Sequence, residues 1–261
     1  MRLATFNILH GRSPADGRVD VPRFRDAVAS LDADVLGLQE VDRDQPRSGG
    51  ADLTAVAAEA MGAVSHRFVA ALSGTPGATW MAATGQEQPG TAAYGIALLS
   101  RHPVASWQVV RLPGLRGRVP VWFPGRRRPS LVTDEPRVAV VADVEAPDGR
   151  VTVAVTHLSF IPGWNVLQLR RLVRATAPVR GPVVVMGDLN LAGDRPARLT
   201  GMQPLARAAT FPVDVPQRQL DHVLGRGGLQ ATGPARAPAL ALSDHRPLVV
   251  DVELERPVER G

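Results

Sequence analysis

Residues that can bind a cation or move a proton lie at the ends of several apolar segments of this chain. Asn7 follows Leu-Ala-Thr-Phe, and Glu40 follows Val-Leu-Gly-Leu-Gln. His157 follows Val-Thr-Val-Ala-Val-Thr, and Asp188 with Asn190 comes after Val-Val-Val-Met-Gly. Short apolar segments of this kind are typical of buried β-strands, so each polar side chain is expected where a strand ends.

Two further placements complete this pattern near the end of the chain. Asp221 precedes His222-Val-Leu, and Asp244 with His245 precedes the final apolar segment. A single Asn or Asp beside a strand is explained by turn formation, which favours both residues. Six placements, all of carboxylate, amide or imidazole groups, indicate instead that the strand ends meet in one cleft.

A cleft lined by such groups is suited to hydrolysis at phosphorus. Carboxylates that lie close together raise one another's pKa unless a cation offsets their charge. Oxygen ligands without cysteine select a hard ion, so we expect Mg²⁺, with Mn²⁺ as the alternative. Such a cation stabilises the negative charge that develops on phosphorus during displacement, and a histidine can act as general acid or hydrogen-bond donor. An Asp beside a His orients the ring and supports its protonated form.

The composition excludes several other kinds of site. The chain has no cysteine, which rules out disulfides, thiolate nucleophiles and cysteine-ligated zinc. All of its basic residues are arginine, so there is no P-loop lysine, and neither Gly-x-Ser-x-Gly nor Gly-x-Gly-x-x-Gly occurs. The net charge of +5 is consistent with a polyanionic substrate. A general replacement of lysine by arginine explains the scattered arginines better than selection for phosphate binding does.

The apolar pattern predicts a chain in which β-strands predominate. Strands are predicted at residues 2–7, 34–39, 66–70, 96–100, 107–111, 138–144, 151–156, 183–186, 222–224 and 248–253, and helices at 21–30, 53–61 and 165–176. Two helices separate early strands and later strands come in pairs, which indicates two packed sheets with helices outside. No linker divides the chain, so one domain is expected over residues 1–261. The Gly- and Pro-rich stretches 73–93 and 112–136 are interpreted as long loops.

Six short motifs occur in order along the chain. They are Thr5-Phe-Asn-Ile8, Leu38-Gln-Glu40, Thr156-His-Leu-Ser159, Gly187-Asp-Leu-Asn190, Leu220-Asp-His222 and Ser243-Asp-His-Arg-Pro247. Together they resemble the endonuclease/exonuclease/phosphatase superfamily, which contains DNase I-like nucleases, sphingomyelinases and inositol polyphosphate 5-phosphatases. The resemblance covers nearly the whole chain. It implies an α/β fold, a four-layered sandwich of two packed mixed β-sheets flanked by helices, with the site at one edge of the sheets.

The resemblance also implies a role for each polar residue of the pattern. Glu40 would be the principal Mg²⁺ ligand with Asn7 beside it, and Asp244 would be a further ligand or the neighbour of one. Asp188 would activate or orient the attacking water. Asn190 would hold that water or a phosphate oxygen.

The implied reaction is in-line attack of water on phosphorus, assisted by two histidines. His245 would donate to the scissile phosphate, with Asp221 paired to its ring, and His157 would stabilise the developing charge or assist the leaving group. Two less specific matches indicate substrate contacts. These are Tyr94, which begins Tyr94-Gly-Ile-Ala-Leu-Leu-Ser-Arg101, and Arg137, in Glu135-Pro-Arg137.

The class of phosphate ester stays open at this point. The motif at residues 156–159 looks more like the DNase I, sphingomyelinase and phosphatase branches than like the abasic-site endonucleases. Positive charge and the pairing of Trp122-Phe123 with Arg126-Arg-Arg128 favour a nuclease, which would bind nucleic acid by charge and stacking. The same aromatic residues, with Trp80-Met81, would also serve a sphingomyelinase-like phospholipid or inositol-phosphate phosphoesterase. A non-catalytic binding module of the same fold is the contrasting hypothesis, and the retention of every motif residue argues against it.

The sequence gives no sign of a stable membrane anchor or of a protein partner. No apolar run approaches the roughly 18 residues of a membrane-spanning helix. The N-terminus enters a predicted strand at once, without the layout of a signal peptide. We therefore expect a cytoplasmic protein.

Overall fold

The computed structural model describes residues 1–88, 90–122, 125 and 127–255. Within these ranges the chain forms fifteen strands and four α-helices. The strands are β1 (Arg2–Asn7), β2 (Val35–Arg43), β3 (Ser65–Gly74), β4 (Trp80–Ala82), β5 (Ala93–Ser100), β6 (Val104–Leu112), β7 (Arg118–Val121), β8 (Ser130–Thr133), β9 (Arg137–Ala146), β10 (Gly149–His157), β11 (Val183–Asp188), β12 (Gln203–Pro204), β13 (Asp221–Arg226), β14 (Leu229–Ala231) and β15 (Leu248–Leu254). The helices are α1 (Val21–Leu31), α2 (Leu53–Met61), α3 (Trp164–Thr176) and α4 (Arg195–Thr200).

Most of the strands belong to two mixed sheets. The first sheet has the order β14-β15-β1-β2-β5-β3-β4, and the second has the order β12-β13-β11-β10-β9-β6. Strand β1 runs parallel to β2, and β10 runs parallel to β11. The other strand pairs of the described chain are antiparallel, including the separate hairpin of β7 and β8.

Three groups of buried apolar side chains hold the sheets and helices together, one between the two sheets and one on the outer face of each sheet. Buried residues such as Leu98, Val140 and Met186 form the layer between the two sheets. Phe24 of α1 belongs to the layer that covers the outer face of the first sheet, and Leu169 of α3 to the layer on the second. The strands are apolar on both faces because each face is covered. This arrangement confirms the four-layered sandwich.

The helix boundaries follow from identifiable capping residues. The Asp20 carboxylate accepts a hydrogen bond from the Arg23 backbone N–H at the start of α1, and Asp52 accepts from two backbone N–H groups at the start of α2. Helix α2 ends at Gly62, whose φ of +67° suits glycine. None of the helices in the described chain combines the length and the apolarity that crossing a bilayer requires.

The predicted helices and longer strands are confirmed, but two interpretations were wrong in extent. Strand β2 does not end before Glu40. It continues to Arg43 through a bulge between Gln39 and Val41. The stretches 73–93 and 112–136 are not loops throughout, because the first contains β4 and the second contains the β7–β8 hairpin.

The aromatic and basic segment between β7 and β8 is described only in part. Phe123 and Arg126, for which nucleic-acid binding and a solvated loop are the two interpretations, lie outside the described residues. Trp122 is 67% exposed. Trp80 is turned towards the protein instead, since its Nε1 donates to Glu135 Oε1 at 3.4 Å.

Candidate functional site

Strand pairing brings the predicted polar residues to one edge of the sandwich. Parallel strands end at the same edge, and their antiparallel neighbours begin there. Asn7 is the last residue of β1 and pairs with Gln39, next to Glu40. In the second sheet, Asp188 at the end of β11 pairs with His157 on one side and with Asp221 on the other. The expected convergence of strand ends is therefore present in both sheets.

Gly187 allows the strands that carry these residues to approach closely. Its φ is +143°, and a Cβ atom built there would lie 1.9 Å from the Thr156 carbonyl oxygen. No side chain fits at that distance, so glycine is required immediately before Asp188.

Asn7 joins the carboxylates of the two sheets. Its Nδ2 donates to Glu40 Oε1 at 3.1 Å and to Asp188 Oδ2 at 3.1 Å. Its Oδ1 accepts from the Leu9 backbone N–H at 3.2 Å. Because Glu40 belongs to the first sheet and Asp188 to the second, a single amide group sets the spacing of two carboxylates across the cleft.

Three residues of the site have left-handed backbone conformations that are uncommon outside glycine. The φ angles are +57° at Glu40, +50° at Asn190 and +63° at Ser243. Each such conformation costs on the order of 1–3 kcal/mol and persists only where the surroundings impose it. At Glu40 the β-bulge imposes it, and the result is a side chain that contacts Asn7.

Burial disfavours the ionised form of both cleft carboxylates, Glu40 and Asp188. It raises the pKa of Glu40, although the hydrogen bond from Asn7 acts in the opposite direction. It also raises the pKa of Asp188 to about 7, although the neighbouring charge of His245 lowers it. The remaining Asp188 oxygen, Oδ1, accepts from the Asn190 backbone N–H at 3.0 Å. A cation placed between the two carboxylates would relieve both shifts.

His157 is neutral, and its surroundings select one tautomer. Burial lowers its pKa well below the usual value, and the charge of Arg137 lowers it further. Nη1 of Arg137 lies 3.2 Å from His157 Nδ1. A guanidinium can only donate, and Arg137 is the closer and charged donor, so Nδ1 accepts from it and the ring proton is on Nε2. Asn190 Nδ2, which lies 3.4 Å from Nε2, therefore does not donate to this ring. Nε2 lies 3.5 Å from Asp188 Oδ2, and because the ring is neutral this contact is not an ion pair.

His245 is protonated, for the opposite reason. Burial alone would lower its pKa, but the charge of Asp221 and the hydrogen bond to it raise the pKa to about 10. His245 Nδ1 donates to Asp221 Oδ2 at 2.8 Å, and Nε2 lies 3.8 Å from Asp188 Oδ2. Thr210 Oγ1 donates to the same Asp221 oxygen at 2.6 Å. His245 therefore presents a proton on Nε2 beside Asp188.

Ser243 ties the segment before β15 to the end of β1. Its hydroxyl donates to the Asn7 carbonyl oxygen at 2.6 Å and accepts from the His245 backbone N–H at 3.1 Å. Neither Ser243 nor Thr210 was predicted as a site residue. Ser243 stands inside a recognised motif that could have indicated it, whereas nothing in the sequence distinguishes Thr210.

Asp244 and Tyr94 lie at the margin of the cluster. Asp244 is half-buried, and its charge acts on both Glu40 and His245. Burial raises the pKa of Tyr94, and the charge of Glu40 raises it further. The Arg47 guanidinium lies 5.4 Å from the centre of the Tyr94 ring, a contact that sequence reasoning missed.

Two groups of residues could hold a cation at this edge. Glu40 and Asp188 offer carboxylate oxygen atoms, which a hard cation prefers, and Asn7 would join them if its amide turned its oxygen from the Leu9 N–H towards the carboxylates. The second group is Asp188, Asp221 and His245, each with one ligand atom within 4.8 Å of the others. A cation in that group would displace the hydrogen bond between His245 and Asp221 and would include a nitrogen ligand. The donor chemistry therefore favours the first group for Mg²⁺ or Mn²⁺.

Comparisons with known proteins identify relatives of the whole fold. Residues 4–245 match the endonuclease/exonuclease/phosphatase family. No curated protein matches the chain. Among solved structures, the chain is similar to an endonuclease/exonuclease/phosphatase protein from Beutenbergia cavernae, with 25% identity and a TM-score of 0.66. That alignment covers 97% of this chain and 71% of the other.

Two further structural neighbours have more specific names. One is a mannosyl-6-phosphatase from Bacteroides thetaiotaomicron, with 14% identity, a TM-score of 0.63 and coverage of 97% of this chain and 100% of the other. The other is truncated TDP2 from Caenorhabditis elegans, with 15% identity, a TM-score of 0.55 and coverage of 97% of each chain. At this identity they show a shared fold only.

Proposed function

Because the chain belongs to the endonuclease/exonuclease/phosphatase family, whose members are usually hydrolases of phosphoester bonds, we propose that it is a Mg²⁺-dependent phosphoesterase that uses the Asn7–Glu40–Asp188 cluster. One observation carries this proposal. A single amide group bridges the half-buried Glu40 carboxylate and the buried Asp188 carboxylate, and Asp188 lies between a neutral and a protonated histidine. Carboxylates and histidines in this arrangement can activate a water molecule beside a negatively charged group.

The cation belongs with the oxygen donors at the cleft. Glu40 and Asn7 would hold it, with Asp244 near enough for its charge to act on Glu40. The ion would supply positive charge that stabilises the phosphoryl oxygens during displacement.

Asp188 is the residue that activates the nucleophile. Its Oδ2 lies next to Asn7 and to Nε2 of both histidines, so this carboxylate is placed to accept a proton from a water molecule bound there. The Asn190 Nδ2 donates to the Leu158 carbonyl oxygen at 3.0 Å, which holds the side chain beside the His157 ring. Asn190 would orient the water or a phosphoryl oxygen.

The two histidines act on the phosphate from different protonation states. His245 carries a positive charge and donates from Nε2, which stabilises the phosphoryl oxygens or protonates the leaving oxygen as the P–O bond breaks. His157 donates from Nε2 as a neutral ring. Asp221 and Arg137 are positioning residues, since each sets the proton location on one of these rings.

Turnover of bis-p-nitrophenyl phosphate and p-nitrophenyl phosphate tests the proposal. We expect Mg²⁺-dependent release of nitrophenol by the wild-type protein, and a loss of about 10²–10⁴-fold in Asp188→Asn because a general base contributes that much. In Glu40→Ala the loss of activity should be largest at low Mg²⁺ concentration, because the variant lacks a proposed ligand of the cation. Glu253→Gln removes an exposed carboxylate elsewhere in the fold and serves as the control. Unchanged turnover in both Glu40→Ala and Asp188→Asn would refute the mechanism, and absence of turnover with any phosphoester would favour a binding module.

A substrate panel then assigns the class of ester. Plasmid DNA, RNA, sphingomyelin, phosphatidylinositides, nucleotides and sugar phosphates represent the nuclease, phospholipid and small-ester alternatives. Because Trp122 is exposed on the β7–β8 hairpin, Trp122→Ala should reduce activity selectively on the polymer or on the lipid if either is the substrate.

A further inference from the structure

A cavity of about 590 Å³ lies at the same edge of the sandwich as the catalytic cluster. Arg137 and Val138, at the start of β9, belong to its wall. The same two residues also line a small recess with His157 and Tyr94. The cavity and the catalytic cluster therefore share Arg137, which lines the cavity and whose Nη1 lies beside the His157 ring.

Positive charge dominates the ionisable groups of this cavity. Four arginines line it, and Asp134 is the one acidic residue on its wall among the described residues. The Asp134 carboxylate is already occupied, because its oxygens accept from the Ser159 hydroxyl at 2.6 Å and from the Leu115 backbone N–H at 2.8 Å. The arginines are Arg111, Arg116, Arg137 and Arg171.

Several of these guanidinium groups retain unused donors. Arg137 is only 6% exposed, and its Nη2 lies 3.6 Å from Glu135 Oε2, yet its Nε has no hydrogen-bond partner among the described residues. Arg111 uses Nη1 to donate to the Ala70 carbonyl oxygen at 2.8 Å, and it is not in an ion pair with any described residue. Arg116 and Arg171 are exposed at the rim. A buried donor without a partner is costly, so a ligand that accepts from it is favoured.

The rest of the cavity lining is largely apolar. It includes Ala83, Leu112, Pro113 and Leu115. Gly114, which also lines the cavity, packs against the backbone of Glu135, since a Cβ there would be 2.9 Å from the Glu135 carbonyl carbon. An apolar lining beside arginines suits a ligand with a compact carbon body and an anionic group.

We propose that this cavity is a subsite for the part of the substrate that is not hydrolysed, and that this part carries a second anionic group on a compact apolar body. The inference rests on the proposed phosphoesterase function and narrows its substrate class. Guanidinium groups bind phosphate and carboxylate through paired hydrogen bonds, so either group satisfies the site. Arg137 lies between the reacting phosphate and the second anion.

Three phosphate esters with a common ring test the subsite. They are phenyl phosphate, 4-carboxyphenyl phosphate and benzene-1,4-diyl bisphosphate. Dissociation constants are measured by calorimetry in EDTA, where no hydrolysis occurs, and kcat/KM is measured with Mg²⁺. The double variant Arg116→Gln/Arg171→Gln removes two rim charges, and Arg170→Gln removes an exposed neighbouring charge of α3 that does not line the cavity.

We expect the wild-type protein to bind one or both doubly anionic esters at least roughly tenfold more tightly than phenyl phosphate, as the loss or gain of one charge-assisted contact implies. The double variant should lose that preference, and Arg170→Gln should keep it. The carboxylate and the bisphosphate arms show which anion the subsite prefers. Equal binding of all three esters, or an equal loss in Arg170→Gln, would overturn the subsite. Binding with this preference but without turnover in Mg²⁺ would instead contradict the proposed hydrolysis and leave the subsite standing.

Discussion

His157 and His245 lie on either side of Asp188 and carry different numbers of protons because their other neighbours differ. His157 faces the Arg137 guanidinium, which repels a second proton. His245 faces the buried Asp221 carboxylate, which attracts one. Identical side chains in one cleft therefore offer a neutral donor and a cationic donor.

The variant Asp221→Asn tests whether the Asp221 carboxylate keeps His245 protonated. In Asp221→Asn the pKa of His245 should fall from about 10 towards its ordinary value of 6.5. The alkaline limb of the kcat/KM profile should then move to lower pH, and activity at about pH 8 should fall by roughly 10²-fold or more because the charged donor is lost. The profile is measured with p-nitrophenyl phosphate or the best ester of the panel. Asp148→Asn, which alters an exposed turn, should keep the wild-type profile.

A second residue-scale expectation concerns Arg137 and the tautomer of His157. Arg137→Gln removes the charge that depresses the pKa of His157, so this ring should gain a proton more readily. The imidazole ¹⁵N resonances report the tautomer directly. We expect the variant to lose the fixed Nε2–H tautomer, with a fall in kcat of roughly tenfold to a hundredfold because the donor is no longer held in place. An unchanged ¹⁵N pattern would mean that Arg137 does not select the tautomer.

At the scale of the elements, the sequence predicts strands better than it predicts where side chains point. Apolar runs such as residues 183–186 indicate a buried strand without further information, and β1 and α2 have the predicted bounds. The left-handed conformation of Glu40 comes from pairing between β2 and β5, which a single segment does not reveal. Short elements inside Gly- and Pro-rich stretches, such as β4, were missed because their stability comes from a neighbouring strand.

The candidate site was likewise predicted only in part. The residues at strand ends were predicted by type, and the structure brings them together. The contacts that tune them come from distant parts of the chain. Thr210 bonds to Asp221 although it lies in an irregular segment, and Arg47 reaches Tyr94 from a short helical turn. No local pattern encodes such contacts.

The close approach of β10 and β11 yields a stability prediction. Gly187→Ala places a methyl group 1.9 Å from the Thr156 carbonyl oxygen, so the strands must separate or the backbone must distort. We expect a loss of about 2–4 kcal/mol in the free energy of unfolding, typical of strain at a constrained position. Urea denaturation measures it. Gly233→Ala, where a Cβ meets nothing within 4 Å, should change stability by less than about 1 kcal/mol.

At the scale of the whole molecule, the protonation of the site residues also affects the stability of the fold. The folded-state pKa values of Asp188 and His245, about 7 and about 10, both lie above the ordinary values of 3.8 and 6.5. A group with a raised folded-state pKa binds its proton more tightly in the folded protein, so its stabilising effect is lost as pH rises. Asp16, Asp32 and Asp251 have lowered pKa values, so their stabilising contribution is fully present above about pH 5 and is lost only as pH falls further.

We therefore expect the metal-free protein to become less stable between about pH 7 and pH 9, by a few kcal/mol, since each pKa unit corresponds to about 1.4 kcal/mol. Below about pH 6.5 the lowered pKa values of His10, His157 and His222 act in the opposite direction, because the unfolded chain binds those protons more tightly. Denaturation in EDTA at a series of pH values measures the decline. In Asp188→Asn the contribution of Asp188 near pH 7 should disappear. Mg²⁺ should restore stability at the alkaline end and have little effect at the acidic end, because protons and the cation compete for the same carboxylates. A wild-type stability that is level across this range would contradict the raised pKa values.

The bond from Ser243 to the Asn7 carbonyl oxygen joins the first strand to the segment just before the last one. Strand β1 also pairs directly with β15, so β1 lacks one of its two neighbouring strands until a much later part of the chain has been made. A nascent chain that has not yet reached residue 243 therefore carries Glu40 and Asp188 without His245 and without the hydroxyl that anchors the cleft. The candidate site is assembled only after these later residues have been made, and slow folding is expected of such distant pairings.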